Sequence, residues 1–165
     1  MSTAAPFAIE AAAAAARFAD SAPAEVRYAV LETPAGTLVA AVTERGLVRL
    51  AYDDFNGGED AILASLAAKV SPRIVRQPKA LDAVARELEE YFQGERRAFD
   101  LPLDWTLTGP FGRRVLEAAI AIPFGEVRTY QEVATIAGSP GGSRAAGNAL
   151  GANPMPIVVP CHRVV

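Results

Sequence analysis

Between Arg27 and Asp54 apolar and polar positions alternate with a period near two. The runs RYAVLET, TLVAAVTE and LVRLAYDD, separated by the turn PAG and by Arg45 and Gly46, predict three antiparallel strands. Gly57 and Gly58 break the alternation, and EDAILASLAAKV reads as a helix. PRIVR reads as a short extended piece. Pro78 opens a second helix with Leu81, Val84, Ala85, Leu88, Tyr91 and Phe92 on one face and Gly94 just past its end. The stretch FDLPLDWTLTG, which holds Pro102 and the only tryptophan, is an irregular connection.

Beyond this connection the period turns helical as far as Pro154. PFGRRVLEAAIAI reads as a buried helix through Phe111, Val115, Leu116, Ala119 and Ile120. Thr129 and Glu132 have capping-box spacing, so a short helix is expected to begin at Tyr130 and to end at Gly138. Ser143 is the expected cap of another, RAAGNALGAN, which has to end before Pro154. Two short helices joined by a Gly-rich turn form a helix-turn-helix pattern, which merely packed helices also satisfy. The fold class expected is a small N-terminal α/β domain with a three-stranded antiparallel sheet over 27–105. A helical C-terminal domain with a winged-helix-like helix-turn-helix follows over 106–165. Residues 1–26 read as an Ala-rich leader, disordered or a frayed helix.

The second of those short helices is unusual in what it lacks. Ala145, Ala146, Gly147, Ala149 and Gly151 leave it almost without side chains, and an interior glycine costs roughly 1 kcal/mol against alanine. Two readings fit: something bulky approaches the helix closely, or another helix packs tightly on it. Arg144 is the one long side chain at its start.

Composition narrows the field. The chain has 165 residues, 51% of them hydrophobic and 21% charged, a profile of globular proteins. One cysteine excludes an internal disulfide and zinc sites of the four-cysteine or two-cysteine-two-histidine type, and a reducing, cytoplasmic setting is expected. No apolar run approaches a membrane span, and the N-terminus makes a poor signal peptide. The net charge of −3 is unevenly spread: residues 1–105 hold 11 Lys/Arg against 16 Asp/Glu, and residues 106–165 hold 5 against 3. All five are arginines, which suit phosphate forks. The last third therefore permits DNA binding without requiring it.

The only cysteine and only histidine stand side by side in PIVVPCHRVV. A lone cysteine in an apolar run is ordinarily a small buried hydrophobe. Here Pro154, Pro156 and Pro160 deny the stretch a regular ladder or helix, and a basic neighbour is what thiolate formation needs. His162 fits either that role or a hydrogen-bonded structural one.

PCHRVV, preceded by SRAAGNALGANPMPIVV and PFGEVRTYQEVA, resembles the O6-alkylguanine-DNA alkyltransferase family. The likeness runs without a gap from Phe111 to Val165, and the N-terminal strands are loosely compatible with that family's first domain. The resemblance implies irreversible transfer of an alkyl group from O6 of guanine, and by extension O4 of thymine, to Cys161. It makes His162 a general base acting through water, Tyr130 a contact to the phosphate and the extruded base, and Asn153 a brace for the cysteine turn. Carbonyls of Cys161 and Val164 would accept from the guanine's amine. Arg144 would be a finger entering the duplex, with Ala145 and Gly147 on the helix lying in the minor groove. The implied partner is double-stranded DNA carrying O6-alkylguanine, with no cofactor, no metal and no membrane, the protein acting as a monomer. Members of the family continue past the signature with a loop, a glutamate and a helix, so a truncation after Val165 is expected on this resemblance. Two alternatives remain: a module that binds the lesion without transfer, or an inactive fragment. A winged-helix regulator would make PCHRVV a coincidence.

Overall fold

The structure, a computed structural model, describes residues 25–165. The expected leader lies outside the described residues, apart from Glu25 and Val26. Strands β1 (Val26–Thr33), β2 (Gly36–Thr43) and β3 (Gly46–Tyr52) form the expected antiparallel meander. Helix α1 (Glu59–Lys69) then returns the chain to β4 (Ile74–Arg76), which pairs parallel with β1 from Val26↔Ile74 to Tyr28↔Arg76. The sheet is thus four-stranded and mixed, in the order β3-β2-β1-β4, rather than three-stranded and antiparallel. Three residues are too few to show a period of two, so PRIVR gave no sign that it joins the sheet.

β2 is central, and its alternation feeds two faces. Val39 and Ala41 join Val26, Val48 and Ala51 under Ile62 and Leu66 of α1. Leu38 and Ala40 face the other way, toward Leu81, Val84 and Leu88. Leu81 closes a 3-10 turn (Pro78–Leu81) that leads into α2 (Asp82–Phe92), so the predicted helix at Pro78 starts tighter than an α-helix.

That second core runs on without interruption into the last third of the chain. It takes in Val115, Leu116 and Ala119 of α3 (Pro110–Ile120), Val133 of α4 (Tyr130–Ile136), Ala146 of α5 (Ser143–Gly151), and then Met155, Val159 and Val164. Ile120, expected on the buried face, is 41% exposed. The stripe set by 115, 116 and 119 continues to Ile122, which is buried, and leaves residue 120 on the outer side. α5 packs on both α3 and α4.

Two connections fix this half against the sheet. In the irregular stretch, Pro102 O accepts from Leu47 N (2.8 Å) and Asp104 N donates to Leu47 O (2.8 Å). Gly46 sits at φ +130°, and a Cβ there would lie 2.2 Å from Pro102 O, so only glycine admits the approach. Farther on, Leu50 N of β3 donates to Pro154 O (2.9 Å), tying the sheet to the loop that leads to Cys161.

Candidate active site

Cys161 opens a single 3-10 turn, Cys161–Arg163, and is half-buried. The loop before it is held from within. Asn153 donates through Nδ2 to Val159 O (2.9 Å) and accepts at Oδ1 from Met155 N (2.9 Å). Val159 N reaches Met155 O (2.8 Å), and Cys161 N reaches Val159 O (2.8 Å). Within this strap Ile157 has φ +73°, a left-handed conformation rare for a β-branched residue. The sequence reading of a fixed, irregular path matches this geometry.

After the turn the chain pairs in parallel with the segment before α4. Arg128 N donates to Arg163 O (2.9 Å), Val165 N to Arg128 O (2.9 Å) and Tyr130 N to Val165 O (3.0 Å). Val164, buried, forms the bridge with Arg128, and its own carbonyl takes no part in those three bonds. The Cys161 carbonyl accepts from Val164 N (3.2 Å), which leaves one lone pair. The short ladder fixes Tyr130 relative to the cysteine turn. Arg163 donates to Ile122 O (2.7 Å) and stacks over Phe124, anchoring the turn to the end of α3.

The expected capping box is present. Thr129 Oγ1 accepts from Glu132 N (3.2 Å), while the Glu132 carboxylate accepts from Thr129 N (2.7 Å). It starts α4 at Tyr130, a residue 41% exposed. A Cβ added at Gly147 would meet the Tyr130 ring at 3.8 Å, an ordinary contact. Gly147 therefore brings Tyr130 and α5 together without being forced to by crowding.

The cap expected of Ser143 is not made. Gly142 occupies the N-cap position with no side-chain bond, and Ser143 is the first helical residue. Its hydroxyl turns away to donate to Gln131 Oε1 (2.7 Å). Gly142 lies so close to Ser139 that a Cβ would come within 2.4 Å of its hydroxyl, so the turn is too tight for a side-chain cap there.

Arg144, Ala145, Asn148, Gly151 and Ala152 form the exposed stripe of α5. A surface helix ordinarily covers such a stripe with long polar chains. Here Arg144 is the single long one, at the first turn. The small residues face both ways: Ala145 and Gly151 are exposed, whereas Ala146 is buried, Ala149 packs against the core and Gly147 faces the ring of Tyr130. Each reading of the small residues therefore covers a part of them: helix packing accounts for Ala146, Gly147 and Ala149, and it leaves Ala145 and Gly151 open on the outer face.

Partial burial pushes the His162 pKa below its ordinary value, and the charge of Arg163 adds to the effect. The imidazole is therefore neutral near pH 7 and able to accept a proton. No group of three or more His, Cys, Asp or Glu among the described residues could hold a metal ion. None of the described helices is long and apolar enough to cross a membrane.

The structure thus ties Cys161, Val164, Asn153 and Tyr130 into one connected framework, places His162 as an exposed neighbour of the cysteine, and sets Ala145, Gly147 and Arg144 on the adjoining helix. The Gln131–Ser143 contact escaped the sequence because twelve residues separate the partners and neither belongs to a recognisable spacing. Asn148 was equally silent, since exposure alone singles it out.

Residues 110–165 match the family described as the DNA-binding domain of 6-O-methylguanine DNA methyltransferase, and residues 26–105 match the ribonuclease-like domain of the same enzymes. The constitutive methylated-DNA–protein-cysteine methyltransferase of Bacillus subtilis is 37% identical over 140 residues, 84% of this chain and 79% of that protein. The Methanosarcina barkeri methylated-DNA–protein-cysteine methyltransferase is 38% identical over 138 residues, 84% and 81% of the two chains. The crystal structure of the Mycobacterium tuberculosis O6-methylguanine methyltransferase superposes with TM-score 0.71 at 35% identity, over 85% of this chain and 78% of that one. A Mycobacterium tuberculosis structure in complex with DNA gives 0.68 at 35% identity, over 84% and 78%. The chain belongs to the methylated-DNA–protein-cysteine methyltransferase family.

Proposed function

We propose that this protein repairs double-stranded DNA by moving the alkyl group of O6-alkylguanine to Cys161, once per molecule. The observation that carries the reading is the coupling of a half-buried, strapped cysteine, through the ladder that holds Tyr130, to a helix whose exposed face carries one long side chain, Arg144. O6 of guanine is out of reach in a stacked duplex, so the nucleotide has to be extruded, at a cost of a few kcal/mol. In this reading α4, the tight turn and α5 form a helix-turn-helix. α5 lies in the minor groove, where Ala145 and Gly147 admit the backbone, and Arg144 enters the stack to offset the lost base contacts. Contacts to phosphate and shape then dominate over base-edge readout, as a search for a rare lesion anywhere in a sequence requires.

Extruded guanine would lie between Tyr130 and the cysteine turn, its amine donating to the carbonyls of Cys161 and Val164. His162, neutral, accepts the thiol proton through a water. Sγ then attacks the alkyl carbon, the S–C bond forms as the C–O6 bond breaks, and the guanine anion takes a proton from solvent at its ring nitrogen while His162 returns the thiol proton to solvent. The product is a thioether, which water does not cleave, so turnover stops. Asn153 contributes by fixing the loop that aims Sγ. The chain has two functional portions in this reading, 27–105 as support and 106–165 as the DNA-reactive part.

A Cys161→Ala variant tests the chemistry. It is expected to bind duplex DNA holding O6-methylguanine with unchanged affinity while removing no methyl groups, against one per chain for the parent. If the parent binds the lesion but removes nothing, the protein is a lesion-binding module and the transfer reading fails.

A further inference from the structure

Tyr130 and Arg144 stand on different helices, and the proposed mechanism needs them to act on the same nucleotide at once. One crosses the phosphate beside the extruded base while the other fills the gap it leaves. Their separation is set by the turn 137–142, which is closed by Ser139 N donating to Ala134 O (2.8 Å) and Gly142 N to Ser139 O (2.8 Å), but whose backbone bonds do not reach the side chains on either helix. Gly138 is left-handed, and Gly141 and Gly142 follow Pro140. The bond that spans the turn comes from the side chain of Gln131, the residue after Tyr130. Its Nε2 donates to Pro140 O, inside the turn, and its Oε1 accepts from the hydroxyl of Ser143, the residue before Arg144. One amide therefore links the neighbour of Tyr130 to the neighbour of Arg144 and to the turn between them.

The chemistry of the bridge is demanding. It needs a donor and an acceptor on one planar group, with the amide orientation fixed because Pro140 O can only accept. Glutamate would keep the arm to Ser143 and lose the arm to Pro140 O. Both bonds are exposed to solvent, and the Ser143 hydroxyl is available for its bond because the N-cap position falls to Gly142.

We infer that Gln131 and Ser143 are positioning residues that hold Arg144 in register with Tyr130, so that insertion of one and extrusion of the base at the other occur together. The inference rests on the roles proposed for Tyr130 and Arg144. It also separates two reactions: transfer from duplex DNA requires the register, while transfer from a small free base, which needs no extrusion, does not.

The test compares transfer rates from an O6-methylguanine duplex and from free O6-benzylguanine, in the full chain and in Ser143→Ala, Gln131→Ala, the double variant and Ser143→Thr. Misplacing a reacting or inserting group by an ångström is costly, so each alanine variant is expected to react about tenfold more slowly with the duplex and within about twofold of the parent with the free base. The double variant is expected to be no slower than Gln131→Ala, which already removes both arms of the bridge. Ser143→Thr, which keeps the hydroxyl, is expected to restore the duplex rate. A loss of folded protein would lower both rates together and leave their ratio unchanged. An unchanged ratio, strictly additive effects or failure of threonine to rescue would each overturn the inference. A parent chain that reacts with neither substrate would instead overturn the alkyltransferase reading itself, and the inference with it.

Discussion

Replacing Gly147 with alanine separates what the fold needs from what DNA needs. Gly147 lies inside α5 with an ordinary helical backbone, and interior glycine costs about 1 kcal/mol relative to alanine. The new Cβ would meet Cδ1 and Cε1 of Tyr130 at 3.8 Å, a contact distance and not a clash. Alanine should therefore stabilise the protein by about 0.5–1 kcal/mol, raising the melting temperature by roughly 1–4 °C for a domain of this size. The same methyl would stand beside Tyr130, at the edge of the exposed face of α5. If the DNA backbone reaches that edge, the helix is held off and repair of duplex slows by about ten- to a hundredfold. Transfer from free O6-benzylguanine should be unaffected. Thermal melting and the two rates are read on one preparation. A fall in melting temperature would mean that local crowding, not DNA, demands glycine. A duplex rate equal to the parent's would place Gly147 away from the DNA and refute the argument.

Arg144→Ala should weaken transfer from the duplex far more than from the free base, measured as the ratio of the two rates; equal losses would remove the finger role. Thr129→Ala breaks the capping box beside Tyr130 and should destabilise the chain by about 0.5–2 kcal/mol in urea unfolding, with Thr129→Ser recovering most of it. His162 carries a pKa below its unfolded value, so on acidification the unfolded chain gains that proton first. Stability is then unaffected by His162 above about pH 6.5 and declines below it, a loss that His162→Gln should remove from the pH profile of urea midpoints.

Legibility in the sequence followed the distance over which each feature is determined. The capping box at Thr129 and Glu132 is three residues long and could be read directly. The proline-fenced path to Cys161 was equally plain, because proline acts on its own backbone. β4 was not, since its three residues become a strand only through pairing with β1, and Val75 is exposed there. Ser143 looked like a cap, and local propensity lost to Gln131, twelve positions away. Ile120 shared the apolar character of its neighbours, but only the helix's placement against the core revealed which side it takes. Gly46 was legible as a turn residue. Its second role, admitting Pro102, depends on a segment over fifty residues later. The small residues of α5 were visible from the start, but only the packing showed that Ala146, Gly147 and Ala149 face the fold while Ala145 and Gly151 stay exposed.

The most direct test of the central claim is the intact mass of the protein after incubation with a duplex carrying O6-methylguanine, followed by peptide mapping. The account predicts a gain of one methyl group per chain, located on Cys161, with no further gain on fresh substrate. An unmodified Cys161 in protein that has bound the duplex would contradict it.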